Sequence, residues 1–439
     1  MSIFEKISSL AKRRGFIYPG SEIYGGLAGT WDYGPLGVEL KRNIKNEFWK
    51  RMVQERSDVV GFDASIIMSP KVWEASGHLE SFSDPLVECK KCHSRFRVDE
   101  LVEKKCAKCG AETWTEPKQF NLMVETYLGV VEGEKTKTYL RGEITQGVHV
   151  NFKNIMDSTR VKLPFGVAQI GKAFRNEITP GGFTFRSREF EQMELQFYTK
   201  PDDTESTKWF EYWKEERIKW YQLLGMKKEN LRFKEHAKDE LAHYARVAFD
   251  IEYGVWDENG TGWKEMEGIH HRGDFDVKQH QEFSKQEMTY FDEETKERYL
   301  PHIIETSGGV DRATLFFLID SYKEEETEKG EMRTVLKLHP KLAPYKVAVF
   351  PLLANKPELV KLARTIYDDL KSEWMVAWDD RGNIGKRYRA QDEAGTPFCI
   401  TVDFDSLENK DVTIRNRDTM TQERVKIAEL KGYLAEKMK

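Results

Sequence analysis

The chain has 439 residues, 39% of them hydrophobic and 12% aromatic, and carries a formal net charge of -5. This is apolar material for at least one large core and length for two or three domains, while the negative total argues against bulk attraction to nucleic acid and leaves only local basic patches for that purpose. No run of about 18 apolar residues appears, and the opening MSIFEKISSLAKRRGF lacks an apolar signal core, so no membrane partner is expected and the expected location is the cytoplasm.

Residues 1 to about 85 alternate helix and turn signals. A helix is expected from Gly34-Pro35, because proline suits a first helical position, with Leu40, Ile44, Phe48, Trp49 and Met52 on one face as core or as a subunit contact. Four of the five cysteines follow as Cys89-x2-Cys92 and Cys106-x2-Cys109, leaving Cys399 alone. Paired knuckles of this spacing suit a tetrahedral four-thiolate zinc site in an insert spanning 86–117. Two disulfides are the competing reading, disfavoured by the odd fifth cysteine and the lack of an export signal. Lys90, Lys91, Lys104, Lys105 and Lys108 would help keep the thiolates ionised, and a closed shell of four cysteines has no open position for catalysis.

Beyond the insert, VAQIGKAFRNEI and EFEQMELQFY both alternate as strands, the second with Phe190, Gln192, Glu194 and Gln196 on one face and Glu191, Met193, Leu195 and Phe197 on the other. They form a hairpin whose loop, roughly Ile178 to Ser187, is longer than a tight turn requires. Residues 202–262, charged and rich in tryptophan, read as a helical insertion. PHIIETSGGVDRATLFFLID then gives an apolar strand, a small-residue turn from Thr306 to Gly309, and a helix burying Leu315, Phe316, Leu318 and Ile319. The run SYKEEETEKGEMR reads as a solvated linker, and from 340 to 439 a fresh α/β pattern marks a separate domain. The main core is then 1–85 with 118–335.

An arginine on a central strand is costly unless paired. Arg175 therefore meets either a cross-strand partner in a ladder with Glu177, Arg188 and Glu189, or a ligand anion. Gly308-Gly309-Val310-Asp311-Arg312 presents a second arginine at a helix start. Two guanidinium forks beside the Phe190 ring make a place for phosphates and a stacked base.

The pair FRNE and REFEQME, with SGGVDR and the helix after YGPLG, resembles the three signatures of class II aminoacyl-tRNA synthetases. With YPGSEIYGG, WDYGPLGVELK and PKVWEASGH, the chain resembles, over nearly its whole length, the glycyl-tRNA synthetase family of the homodimeric type. The resemblance implies an α+β fold: an antiparallel sheet flanked by helices, a zinc-ribbon-like insert and a C-terminal α/β anticodon-binding domain. It implies ATP-dependent, magnesium-assisted activation of glycine to glycyl-adenylate, then transfer to tRNA-Gly, by a homodimer carrying a structural zinc ion.

Carried over position by position, the resemblance gives Arg175 the α-phosphate, with Asn176 and Glu177 beside it. Phe185, Arg186, Ser187, Arg188, Glu189 and Phe190 would flank ATP, with Phe190 stacking the adenine and Arg186 or Arg188 reaching the outer phosphates. Gly309, Val310 and Asp311 lead into Arg312, which would close over the base and touch the γ-phosphate. Glu265 and Met266 match further ATP contacts, Glu265 being a magnesium ligand by its carboxylate. Glycine offers no side chain to grip, so its ammonium must carry recognition. The resemblance assigns this to Glu143, Glu194, Glu305 and Ser307 with Arg97 reaching in, along the strand segments Phe190, Glu191, Gln192 and Met193, and Thr306, Gly308 and Gly309.

Three places depart from the family pattern: LRGEITQG for LRPETAQG, ETSGG where proline usually follows the acid, and HHRGDFD for RTDFD. Other readings are a synthetase-like protein that binds nucleic acid without catalysis, a class II enzyme for proline, threonine, histidine or serine, and a zinc-ribbon nucleic-acid protein. Retention of both arginines favours an enzyme. Lys386-Arg387-Tyr388-Arg389 interleaves charge with a ring and is either a tRNA contact or a solvated turn.

Overall fold

A computed structural model describes residues 2–98, 101, 105–131, 135–242, 244–257, 260–327 and 330–438. Its centre is a seven-stranded sheet made of β1 (Val59–Gly61), β2 (Phe165–Phe174), β3 (Glu189–Thr199), β4 (Leu231–Glu235), β5 (Val247–Asp257), β6 (Gly260–Gly273) and β7 (His302–Gly309). The spatial order is β4-β5-β6-β7-β3-β2-β1; every neighbouring pair is antiparallel except β1 with β2.

The period-two alternation of β3 sorts its side chains. Met193, Leu195 and Phe197 are fully buried in the main apolar core, while Gln192, Glu194 and Gln196 point to the opposite face. Register then fixes their neighbours on β7: Glu194 lies opposite Ser307 and Gln196 opposite Glu305. The apolar face is covered by α1 (Ile3–Arg14), α2 (Pro35–Trp49), α3 (Asp203–Leu223) and α4 (Val310–Ser321). Leu40, Ile44 and Phe48 of α2 and the following Met52 are buried inside this core, so that stripe packs within the chain; Trp49 alone of the five stays exposed.

Several expectations need correction. Residues 202–262 are no insertion: they supply α3, the two strands β4 and β5 at one edge of the seven-stranded sheet, and the start of β6. The charges of α3 disguised its burial, since Arg217 is fully buried and paired with Glu267 on β6 at 2.6 and 2.9 Å, with the Tyr221 hydroxyl donating to the same carboxylate at 2.6 Å. Thr306 to Gly309 is no turn but the end of β7. Gly308 is required there because a Cβ would sit 2.8 Å from the Glu267 carboxylate. Arg175 to Glu177 lie just past the end of β2 rather than on it. The linker is a hairpin, Tyr322–Glu326 paired with Met332–Leu336, its buried Arg333 held by Glu325 and Asp392; Glu328 and Lys329 lie outside the described residues.

The insert holds a three-stranded sheet, Ser83–Glu88 flanked by Arg95–Arg97 and Lys118–Asn121. At the C-terminal end a five-stranded sheet runs Val376–Trp378, Val347–Pro351, Phe398–Val402, Asp411–Asn416, Gln422–Lys426, parallel in its first three strands and antiparallel thereafter. Lys386 to Arg389 lie on a helix, Ile384–Ala394, missed in the sequence. Arg387 is buried there, donating to the carbonyls of Pro351, Asp380 and Gly382, and Tyr388 packs on Phe350, which leaves only Lys386 and Arg389 of the four exposed. Among the described residues no helix is long and apolar enough to cross a membrane.

Breaking the buried Arg217–Glu267 pair leaves an uncompensated charge. Arg217→Met is expected to cost about 3–5 kcal/mol in urea unfolding, and the double change Arg217→Met with Glu267→Met to recover most of that loss. A single-variant loss below about 1 kcal/mol would contradict the pairing.

Candidate active site

The polar face of the sheet opens into a deep cleft lined by residues of β3, β6 and β7, the loop 175–188 that follows β2, and the start of α4. Fifteen of the residues singled out above reach it: Glu143, Arg175, Glu177, Phe185, Arg186, Ser187, Phe190, Gln192, Glu265, Met266, Glu305, Ser307, Gly309, Asp311 and Arg312. Glu194 sits directly behind, bonded by the hydroxyl of Ser307 at 2.6 Å and the amide of Gln192 at 2.9 Å.

Both arginines face the cleft. Arg175 donates to the carbonyl of Gly142 at 3.1 Å and lies between the rings of Phe82 and Phe190, at 5.1 and 5.2 Å. It makes no ladder with Glu189, which pairs instead with Lys172. Arg312 is held by the carbonyl of Phe185 at 3.2 Å, by the Phe185 ring at 4.6 Å and by Glu265 at 2.9 Å. Arg312 in turn holds the Glu265 carboxyl below its ordinary value. Between the arginines the loop turns through Gly182 and Phe183, both at positive φ (65° and 57°), with Phe183 edge-on to Trp31. A non-glycine residue held there marks a conformation imposed by its surroundings.

The remaining assigned residues lie elsewhere, for stated reasons. Alternation turns Glu191, Met193, Thr306 and Gly308 to the helix-covered face: Glu191 pairs with Lys45 and Lys41 at 2.9 and 3.1 Å, and Met193 and Thr306 are fully buried. Val310 is core. The carboxylate of Asp311, though at the cleft edge, is occupied by Tyr33, Lys41 and the Glu191 amide. Arg188 donates to the carbonyls of Ala28 and Glu177, so of the two loop arginines only Arg186 lines the cleft. Asn176 is exposed, Glu189 is on the surface, and Arg97 pairs with Asp84 at 2.7 Å beside the cleft, near enough for both to act on Glu177.

Residues not singled out in the sequence complete the site. Arg272 is buried and bridges Asp276 (2.7 and 2.9 Å) and Glu305 (2.9 and 3.1 Å). His270 contacts Glu305 at 2.8 Å, and His78 contacts Glu143 at 3.3 Å. The hydroxyl of Thr145 sits 2.6 Å from Glu194 and 3.1 Å from Glu305. Arg272 lies in the motif HHRGDFD and Thr145 in LRGEITQG, but the role of Thr145 was hidden, because its partners are 49 and 160 residues away.

These partners set the three carboxyls apart. Against the cost of burial, His78 and Arg272 hold Glu143 down at about 2, and Arg272 with His270 holds Glu305 well below the usual carboxylate range. Burial, with Glu305 and Glu143 nearby, pushes Glu194 up to about 8. Burial also raises Glu177. Among the described residues, buried oxygens of Glu177, Thr184 and Gln192 at the cleft wall lack a hydrogen-bond partner, which fits a polar ligand.

Away from the cleft, the sulfurs of Cys89, Cys92, Cys106 and Cys109 all lie within 4.8 Å of one another, with Cys89–Cys109 and Cys92–Cys106 at 3.6 Å. A tetrahedral zinc site with Zn–S near 2.3 Å implies sulfur separations of about 3.8 Å, so the four thiols fit that ion. Lys104 lies outside the described residues.

Residues 129–322 match the tRNA synthetase class II core domain model (G, H, P, S and T), and 346–437 match the anticodon binding domain model. The chain is 53% identical to a glycine-tRNA ligase of Geobacillus kaustophilus, over 99% of this chain and 98% of that one, and 52% identical to one of Alkaliphilus oremlandii over 99% and 98%. A glycine-tRNA ligase of Bacillus cereus is 50% identical over the full length of both. The chain belongs to the glycine-tRNA ligase family. In this family member the signature arginines and the acidic residues meet in the cleft.

Because Arg272 depresses Glu305 and Asp276, their stabilising contribution is complete above the unfolded carboxylate range near pH 4 and is lost as the pH falls below it. Arg272→Met should therefore cost about 3–5 kcal/mol at pH 7, and the gap from the parent, followed by urea midpoint, should narrow from pH 5 to pH 3. A gap independent of pH would contradict this charge assignment.

Proposed function

We propose that the chain is a glycine-tRNA ligase that joins glycine to ATP as glycyl-adenylate in this cleft and passes the glycyl group to the end of tRNA-Gly. The observation that carries the reading is the convergence, across 137 residues of sequence, of Arg175 and Arg312 on one cleft that ends in an acid-walled recess.

Activation is an in-line attack by the glycine carboxylate on the α-phosphorus, with pyrophosphate leaving, so no side-chain nucleophile is required. The protein's share is positioning and charge. Arg175, immobilised by the Gly142 carbonyl and two rings, meets the α-phosphate as negative charge grows there. Phe190 offers a face to the adenine, Arg312 closes from the other side toward the γ-phosphate, and Arg186 meets the outer phosphates. Glu265, released from Arg312 when phosphate replaces it, would hold a magnesium ion, which supplies charge neutralisation between the phosphates. The carboxyls of Glu143, Glu194 and Glu305 face the ammonium, and the side chains of Gln192 and Ser307 narrow the space beside the α-carbon.

The zinc site staples the insert. Lys386 and Arg389, with the domain spanning 346–437, face the anticodon arm. A two-fold homodimer in the cytoplasm completes the reading, and the exposed Val38 and Trp49 of α2 are apolar surface for a second copy to cover.

Purified protein should catalyse glycine-dependent exchange of pyrophosphate into ATP. Alanine at Arg175 or Arg312 should lower the rate by roughly 10²–10³-fold, the loss typical of removing one charge-stabilising donor. Exchange that is absent, that responds equally to proline, threonine, histidine or serine, or that is untouched by either change would overturn the proposal.

A further inference from the structure

The inner wall of the cleft gathers the carboxyls of Glu143, Glu194, Glu305 and Asp276 around one guanidinium, Arg272, which bonds two of them, while Arg141, held by the carbonyls of Lys172 and Ala64, acts on Glu194 only through space. Arg272 is shared between Asp276 and Glu305, and His78 faces Glu143. His270 also faces Glu305, and the Tyr244 ring lies under Arg272 at 3.7 Å. Glu194 is 2% exposed, and among the described residues it has no cationic partner within 4.0 Å; every group that bonds it is neutral.

The hydrogen bonds around Glu194 favour one protonation state. One oxygen of Glu194 already receives Ser307 at 2.6 Å and the Gln192 amide at 2.9 Å. The other faces the Thr145 hydroxyl at 2.6 Å, and that same hydroxyl is 3.1 Å from Glu305. A threonine hydroxyl has one proton and can serve only one of two carboxylates. Were both ionised, Thr145 would serve Glu194, and Glu305, left to Arg272 and the Gln196 amide at 2.9 Å each, would still hold an anionic oxygen 3.1 Å from the lone pairs of the hydroxyl. The chain closes if Glu194 donates to Thr145 and Thr145 donates to Glu305, which is already neutralised by Arg272. The unsatisfied oxygen of Gln192, meanwhile, is an acceptor awaiting a donor at the same spot.

We propose that Glu194 holds a proton in the ligand-free site, with Thr145 as the positioning residue that relays it toward Glu305, and that glycine binding expels that proton. The inference rests on the proposed function, since it takes the ligand to be the glycine ammonium. The balance is simple: the Glu194 carboxylic acid and glycine zwitterion become a carboxylate–ammonium pair, and one proton leaves to solvent. Burying the acid as a neutral group removes the repulsion among the carboxyls that an empty recess would otherwise bear. The raised titration of Glu194, set by burial and by its acidic neighbours, agrees with the hydrogen-bond count. The device also favours an amine over a neutral molecule of the same size, because only a cation can pair with the carboxylate once its proton has gone.

The test is calorimetric titration of the full-length protein with glycine at pH 7.0 in phosphate, HEPES and Tris, whose different ionisation enthalpies report proton release. Close to one proton should be released per glycine bound, and apparent affinity should rise by up to tenfold per pH unit from pH 6 to 8. Glu194→Gln mimics the neutral acid. It should keep the parent's urea midpoint at pH 7, bind glycine at least tenfold more weakly, and release no proton. A parent whose binding enthalpy is independent of buffer would overturn the inference while leaving the proposed function standing. So would a Gln variant that releases as much as the parent, or one markedly destabilised at pH 7. A folded parent that binds no glycine overturns both.

Discussion

The site depends on confining several carboxyl groups to a small, buried recess without an equal number of guanidinium groups to bond them. In water their mutual repulsion would be slight; in the middle of β3 and β7, where Glu194 and Glu305 are almost wholly buried, it is not. Arg272 resolves most of it by gripping Glu305 and Asp276 together, and it can do so only because β6 runs beside β7 and brings the arginine against Glu305. The helix Phe275–Ser284, starting three residues later, returns Asp276 to the same guanidinium. Sheet order is thus tied to charge balance.

A second ion pair supports the same strands from behind. Arg217, from α3, crosses the core face to Glu267, two residues from the cleft acid Glu265, and Tyr221 completes the carboxylate's bonds. Since Gly308 leaves room for that carboxylate, the two faces of β7 do different work: one row of residues fits a buried ion pair, the other presents Glu305, Ser307 and Gly309 to the cleft. A shift of one residue along β7 would exchange them. Strand register is accordingly fixed by charge as well as by apolar packing.

Alternation along 189–199 was legible in the sequence, and the structure reproduces it residue by residue, because period-two patterning over one buried and one polar face leaves a single register. The four-cysteine cluster was legible from spacing alone, since each pair lies on one tight turn. Residues 202–262 were misread because buried charge looks like exposed charge in one dimension: Arg217 and Glu216 are covered by groups distant in sequence. The hairpin at 322–336 was hidden the same way, with Arg333 paired to an aspartate 59 residues on. The arginine-bearing side of the cleft was identifiable from motifs that hold loop and strand residues in fixed order. Its inner wall was legible only in part: the acids Glu143, Glu194 and Glu305 stood in those motifs, whereas Thr145, His78 and Asp276 acquire meaning only through partners brought in by the fold.

The central claim is that Arg175 and Arg312 clasp a nucleotide whose amino-acid end reaches the carboxyl wall. A crystal structure with a non-hydrolysable glycyl-adenylate analogue tests it most directly. The adenine should lie between Phe190 and Arg312, the phosphate mimic within hydrogen-bond reach of Arg175, and the amine within reach of Glu194 and the Gln192 oxygen. An analogue seated elsewhere, such as in the apolar groove between α1 and residues 180–183, or with its amine turned from Glu194, would contradict the account.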